Sequence, residues 1–166
     1  MKKIAIILSL VGLLVTSCEE DEIPTPSFTD VTWYSSVPLI LDGVSQIKEG
    51  RAISIHDLSQ NALSHEWIIE EGTFFLESGF DNNTNNNIPD PDLTPFIDET
   101  KGLSSTDETV FILFPTATEV GEFYTITIRN TFPEKVVYNG STPIEAVQEG
   151  DVWVFEYTFN VQVNPG

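Results

Sequence analysis

The chain has 166 residues, a length that suits one domain. It carries 7 basic and 26 acidic residues, and the formal net charge of −19 excludes nucleic acid as a partner because phosphate backbones would be repelled. Apolar residues make up 40% of the chain, too many for a disordered protein. The single cysteine excludes an internal disulfide framework and a cysteine-based zinc cluster.

Residues 1–17 have the layout of a secretory signal peptide. Lys2 and Lys3 precede an apolar run from Ile4 to Val15. This run is shorter than the ~20 residues that a helix needs to cross a bilayer, which argues against the alternative of a transmembrane anchor. We therefore predict that the leader is removed during export.

The end of the leader resembles the bacterial lipobox, in which an aliphatic residue and two small residues precede a cysteine. The matching residues are Val15, Thr16, Ser17 and Cys18. The resemblance implies cleavage between Ser17 and Cys18, a diacylglycerol on the Cys18 thiol and acylation of the new amino group. Two or more acyl chains anchor a protein stably, whereas one chain is marginal. The alternative is an ordinary signal peptide followed by an incidental cysteine, and the position of Cys18 argues against it.

An acidic run follows the cysteine directly and is made of Glu19, Glu20, Asp21 and Glu22. It resembles the export tag of Bacteroidetes-type surface lipoproteins, which implies a lipid-anchored protein of the outer membrane exposed at the cell surface. The alternative is a solvated spacer. Pro24 and Pro26 disfavour helix, so residues 18–28 are interpreted as an acidic, proline-containing tether.

The remaining residues, 29–166, are predicted to form an antiparallel β-sandwich. Period-two apolar patterns recur between glycine-containing turns; they cover 30–35, 38–41, 52–58, 65–70, 73–77, 109–114, 122–130, 135–139 and 151–163. The continuous apolar run 109–114 is typical of a strand buried on both faces. The aromatic stripe Trp153, Phe155, Tyr157 and Phe159 is interpreted as core, with a sugar-stacking platform as the alternative.

Two segments resemble the polycystic-kidney-disease (PKD) domain. In 53–72 the matching residues are Asp57, Ser59, Ala62, Trp67 and Gly72. In 119–132 they are Gly121, Phe123, Thr125, Ile126, Ile128 and Asn130. The resemblance implies an immunoglobulin-like sandwich and a non-catalytic spacer, adhesion or glycan-associated role. The chain departs from the family in its hallmark turn, which reads WIIEEG here, and in a long insertion at about 78–108.

The insertion is rich in asparagine, aspartate and proline, and it is predicted to be a polar loop. Its NNTNNNIPD stretch resembles aspartate-rich calcium repeats, which implies Ca²⁺ as a candidate ligand. The residues proposed for such a site are Asp81, Asn82, Asn86, Asp90 and Asp92. On the calcium-repeat alignment the oxygen ligands would be Asn82, Thr84, Asn86 and Asp90, of which three are uncharged. This low charge count favours the alternative of a solvated loop without metal.

No pattern points to an enzyme. His56 and His65 lie near aspartate and serines, but the chain has no Gly-x-Ser-x-Gly turn. We expect a non-catalytic, surface-anchored binding or spacer module associated with polysaccharide, and Trp33, Tyr34 and Phe80 are the predicted exposed aromatic contacts. One alternative is a structural subunit that docks a partner lipoprotein or outer-membrane protein. Another is the N-terminal module of a larger surface protein.

Overall fold

The computed structural model describes residues 28–140 and 142–166, which form a two-layer β-sandwich. The strands are β1 (Trp33–Ser35), β2 (Val44–Lys48), β3 (Arg51–Asp57), β4 (Ser64–Ile69), β5 (Phe74–Phe75), β6 (Ser104–Ser105), β7 (Thr109–Phe114), β8 (Tyr124–Phe132), β9 (Val137–Asn139), β10 (Pro143–Glu145), β11 (Val147–Glu149) and β12 (Val152–Asn164). A single-turn helix, α1 (Asn82–Asn85), and a 3₁₀ turn (Thr94–Phe96) lie between β5 and β6. Among the described residues, no helix has the length and apolar character needed to cross a bilayer.

Two sheets form the layers of the sandwich. The first has the order β1-β3-β7-β5, and the second has the order β11-β12-β8-β4-β6. All pairings within these orders are antiparallel. β2 adds to the second sheet by pairing in parallel with the last five residues of β12. The predicted antiparallel sandwich is therefore confirmed.

The inner faces of both sheets meet in one inter-sheet core. Its 19 buried side chains come from both layers, and Trp67, Phe155 and Phe159 are among the largest. Alternation along β12 puts Phe155, Phe159 and Val161 inside, with Trp153 and Tyr157 partly buried against them. The interpretation of this stripe as core is confirmed.

The strand prediction for residues 38–41 is wrong. These residues are irregular because they carry the chain from β1 in the first sheet to β2 in the second. The strand predicted over 73–77 is shorter in the structure, since β5 covers only Phe74–Phe75; it pairs with β7 in the first sheet, whereas β4 belongs to the second. The turn between β4 and β5 is sharp at Gly72, whose φ is +91° and whose Cα faces the Tyr124 ring closely.

A hairpin of β9 and β10 covers the core between β1 and β12. Tyr138 of this hairpin stacks on Trp33 with ring centroids 4.8 Å apart, and Trp33 meets Phe159 edge-on at 5.1 Å. Val136 and Ala146, which flank the hairpin, are buried in the same core. The hairpin therefore shields apolar side chains that a plain sandwich would leave open at this edge.

The insertion is an ordered part of the fold. Leu76, Phe80 and Leu93 pack on Ala52 of β3 and Leu113 of β7, on the outer face of the first sheet. These five buried residues form a second core, called here the loop core. It explains why the 109–114 run is apolar throughout: Val110, Ile112 and Phe114 face the inter-sheet core, while Phe111 and Leu113 face the loop core. Burial of β7 on both faces was predicted correctly.

Candidate ligand-binding groove

The outer face of the first sheet is covered at one end and open at the other. Cross-strand register places Ala52 beside Leu113, and this row lies under the loop core. The next row holds Ser54 beside Phe111, with Ser36 next to Ser54 at its edge. The last row holds Tyr34, His56 and Thr109. The insertion thus stops partway along the sheet and leaves a step.

A groove of about 340 Å³ runs along this step, and we call it the Tyr34 groove. Its volume is within the range of small-molecule sites. The residues that line it are Tyr34, Ser36, Ser54, Phe80, Asp81, Asn82, Asn83 and Phe111. Tyr34 is 63% exposed, so its ring is available for stacking. Aromatic, hydroxyl and amide groups therefore line one concave surface.

The apolar end of the groove is rigid because its rings are packed. Phe80 lies edge-on to Phe96 at 5.2 Å and to Phe111 at 5.4 Å. Phe80 is buried and Phe111 half-buried, so they form the wall and floor of the groove.

The polar end is positioned by the N-cap of α1. Asp81 Oδ1 accepts hydrogen bonds from the backbone N–H groups of Asn83 and Thr84, each 3.0 Å long, and Oδ2 accepts one from the Thr84 hydroxyl. These bonds lower the pKa of Asp81 below its ordinary value of 3.8, with the Thr84 hydroxyl as the largest cause. The Asn83 side chain bonds to no other group in the described part of the chain, so it is available to a ligand.

Two residues hold the insertion onto β3. The Asn86 amide donates to the Ala52 carbonyl at 2.8 Å and accepts from the Ala52 N–H at 3.1 Å, as a neighbouring strand would. The Arg51 guanidinium donates to the backbone carbonyls of Asn86 and Ile88. These bonds attach α1, and with it the polar end of the groove, to the rigid sheet.

The three aromatic residues predicted to contact a ligand differ in their exposure. Tyr34 is exposed and lines the groove, as expected of a contact residue. The expectation that Phe80 is exposed is wrong, since only 4% of its surface is accessible and it belongs to the loop core. Trp33 is also not freely exposed, because Tyr138 and Phe159 cover its ring.

The residues predicted to ligate calcium are only partly brought together. Asp81 and Asn82 line the groove, but Asn86 is bonded to Ala52, and Asp92 accepts bonds from Thr94. Asp90 lies elsewhere, in a second recess beside Pro91. In the described ranges, no three His, Cys, Asp or Glu side chains are grouped in a way that could hold a metal ion. Calcium binding stays a prediction.

Segments 53–72 and 119–132 meet at a buried polar junction. Asn130, fully buried on β8, donates through Nδ2 to Asp57 Oδ2 and to Ser59 Oγ, each at 2.9 Å. The Ser59 N–H donates to Asp57 Oδ1 at 2.9 Å, a hydrogen bond that is typical of an aspartate at a turn. The junction ties the end of β3 in one sheet to β8 in the other.

A second, more apolar groove of about 560 Å³ lies at the side of the sandwich, between the β4–β5 turn and residues 94–103. We call it the edge groove. Phe74 and Leu103 line it with 38% and 42% of their surfaces exposed, and Glu71 and Glu99 stand at its rim.

Of the groove residues, Tyr34, Phe80, Asp81 and Asn82 were predicted from the sequence, whereas Ser36, Ser54, Asn83 and Phe111 were not. The alternation of 52–58 already assigns Ser54 and His56 to one face. The sequence does not show which segment packs on that face, because the insertion that covers part of it is distant along the chain. Cys18, Ser17 and the acidic run from Glu19 to Glu22 lie outside the described residues. No protein-family model, curated protein or solved structure matches this chain.

Proposed function

We propose that this protein is a non-catalytic lipoprotein of the outer membrane, anchored through Cys18 and exposed at the cell surface, that binds polysaccharide in the Tyr34 groove. The lipobox-like residues Val15 to Cys18 support lipid anchoring, and the acidic run after them supports export to the cell surface. Acyl chains at Cys18 would hold the sandwich at the membrane, and residues 18–28 would form its tether.

A PKD-like, immunoglobulin-like identity is part of the proposal, and the strand order supports it. If β1, β3, β4, β5, β7, β8 and β12 are lettered A to G in chain order, the sheets read A-B-E-D and G-F-C. This is the arrangement of constant-type immunoglobulin domains. The Asp57–Ser59–Asn130 junction adds support, because it joins the two segments that carry the resemblance.

The observation that carries the binding function is the composition of the Tyr34 groove. A sugar ring presents an apolar face and a rim of hydroxyl groups, so it needs an aromatic surface beside hydrogen-bonding side chains. Tyr34 supplies an exposed ring, and Ser36, Ser54, Asn82 and Asn83 supply hydroxyls and amides. The same set of groups suits a glycan better than a purely apolar ligand.

Titration calorimetry of residues 28–166 against neutral plant and algal oligosaccharides tests the binding function. We expect heat and saturation for at least one glycan, and about tenfold weaker binding after Tyr34→Ala, which corresponds to about 1.4 kcal/mol. Phe123→Ala removes an aromatic residue outside the groove and should leave affinity unchanged. Absence of heat with every glycan of the panel would reject glycan binding.

The anchor is tested separately in cells. Cys18→Ser should remain unprocessed or leave the membrane fraction, whereas Ser17→Ala keeps a small residue before the cysteine and should be processed normally. Protease added to intact cells should remove the wild-type domain. A Cys18→Ser protein that fractionates and migrates like wild type would reject lipidation.

The edge groove favours a second function, the docking of a protein partner. Its apolar floor of Phe74 and Leu103 and acidic rim of Glu71 and Glu99 fit a segment with one apolar side chain flanked by lysine or arginine. Crosslinking in whole cells should then capture a partner in stoichiometric amount, and Phe74→Ser should abolish the crosslink without changing glycan binding. Equal crosslinking of wild type and variant would reject this function.

A further inference from the structure

We infer that the Tyr34 groove selects uncharged sugars and rejects uronic and sulfated ones. This inference rests on the proposed glycan-binding function and adds the chemical class of the ligand. It follows from the charges in and around the groove.

Among the described residues that line the groove, none carries a positive charge that could neutralise an acidic sugar. Its eight lining residues include one acid, Asp81, and no lysine, arginine or histidine. The other polar lining groups are hydroxyls and primary amides. They are uncharged, and they can donate hydrogen bonds to sugar hydroxyls and accept hydrogen bonds from them. A carboxylate or sulfate placed here would lose its hydration and find no positive partner.

Asp81 keeps its negative charge in this position. Its carboxylate accepts hydrogen bonds from the N–H groups of Asn83 and Thr84 and from the Thr84 hydroxyl, all of which favour the ionised form. An anionic sugar in the groove would therefore lie near a fixed like charge.

Two basic residues lie close to the groove, and both contact other groups of the protein. His56, the cross-strand partner of Tyr34, contacts Thr109 Oγ1 through Nδ1. Arg51 donates to the carbonyls of Asn86 and Ile88, below the loop core. Lys101 pairs with Asp107 at 2.7 Å, and Arg129 contacts Glu149 and Glu156. The formal net charge of the whole chain is −19, so the wider field also repels anions.

Matched pairs of oligosaccharides that differ only at C6 test the inference. β-1,4-glucan is compared with its glucuronan counterpart, and β-1,4-mannan with its mannuronan counterpart, by calorimetry at about 0.05 M and about 0.5 M salt. We expect the neutral member of a binding pair to bind at least about tenfold more tightly at low salt, and the difference to shrink at high salt because repulsion is screened.

Two variants localise the effect. Asp81→Asn keeps an N-cap residue but removes the charge, so it should narrow the difference in affinity between the neutral and the acidic member of a pair. Asn83→Lys places a cation at the groove and should strengthen binding of the acidic member by about tenfold. Neither substitution removes a buried side chain, since both positions are exposed.

The outcomes separate this inference from the function on which it rests. Equal or tighter binding of an acidic member by the wild type would overturn the neutral selectivity and leave glycan binding intact. The inference would also be overturned if Asp81→Asn and Asn83→Lys both kept the wild-type difference in affinity between neutral and acidic sugars, because the charges at the groove would then play no part. Binding of no member of either pair, together with no heat across the wider neutral panel, would overturn the proposed function itself.

Discussion

The inter-sheet core and the loop core differ in size and in what supports them. The first contains 19 buried side chains, most of them from the two sheets, whereas the second contains five, of which Phe80 and Leu93 come from the insertion. Each buried aliphatic or aromatic side chain contributes about 1.5–3 kcal/mol. The inter-sheet core can therefore fold without the loop core, while the loop core needs the sheet as its base. The sandwich therefore supplies most of the stability, and the insertion shapes the binding surface.

The largest effect is expected from Trp67→Ala in the inter-sheet core. Trp67 is fully buried on β4, and its removal leaves a cavity that should cost about 3–5 kcal/mol in the free energy of unfolding. Urea unfolding followed by circular dichroism measures this change. Val120→Ala, at a position that is 99% exposed, should change stability by less than about 0.5 kcal/mol. Similar losses for both variants would show that the inter-sheet core is not the main source of stability.

Phe80→Ala should have a smaller and more local effect. Phe80 joins the insertion to Phe111 and the loop core, so its loss should free residues 78–97 and lower global stability by about 1–3 kcal/mol. Limited proteolysis should cut within 78–97 while β12 stays protected against hydrogen exchange, and glycan binding should weaken with the loss of the groove wall. If β12 also lost its protection against hydrogen exchange in Phe80→Ala, the loop core and the inter-sheet core would unfold together, and this would contradict their independence.

Arg51→Ala should loosen only the attachment of the insertion. It removes the hydrogen bonds to the carbonyls of Asn86 and Ile88, which should cost about 1–2 kcal/mol. Arg51→Lys keeps the charge but loses the planar fork, so it should recover part of this loss. Hydrogen exchange of the Asn86 region, compared with that of β8, reports the effect. Equal exchange in wild type and Arg51→Ala would mean that Asn86 alone holds the segment.

Acid should act on the insertion before the sandwich. Asp81, Asp92 and Asp98 each have a pKa below the ordinary 3.8, chiefly because Thr84, Thr94 and Thr100 donate to their carboxylates. A lowered folded-state pKa stabilises the fold above the unfolded pKa, and this contribution is lost as the pH falls through the folded pKa. Residues 78–100 should thus become more mobile in NMR relaxation below about pH 3.8.

The triple variant Asp81→Asn, Asp92→Asn and Asp98→Asn is the control for the acid effect. Its side-chain amide oxygens can accept the same hydrogen bonds from Thr84, Thr94 and Thr100 but do not titrate, so its relaxation should change little over the same pH range. If the variant loosened with acid as much as the wild type, these aspartates would not be the cause.

Local pattern predicted most of the sandwich because each strand carries its own alternation. The runs 52–58, 109–114, 122–130 and 151–163 all lie on strands, since burial of one or both faces leaves a direct record in the sequence. The strand β2 (Val44–Lys48) escaped detection because only Ser45 and Ile47 are buried there and the segment is short. Residues 38–41 were wrongly predicted to be a strand because Leu39 and Leu41 alternate as strand residues do and pack against the core, although the segment only connects the two sheets.

The groove was predictable only in part. Tyr34 and the asparagines stand out by residue type, but the groove exists because the insertion folds back over β3 and β7. That contact depends on Phe80, Leu93 and Asn86, which are embedded in a polar, proline-rich stretch without periodicity. Packing between residues that are distant along the chain leaves no periodic pattern in the sequence. For this reason Phe80 was predicted to be an exposed contact, although it forms the wall of the groove.

The central claim, that the Tyr34 groove is a glycan site, is tested most directly by titrating wild type, Tyr34→Ala and Phe123→Ala with the tightest-binding neutral oligosaccharide. We predict about tenfold weaker binding for Tyr34→Ala and unchanged binding for Phe123→Ala, with the same unfolding midpoint for wild type and Tyr34→Ala. Equal affinity of wild type and Tyr34→Ala would contradict the claim.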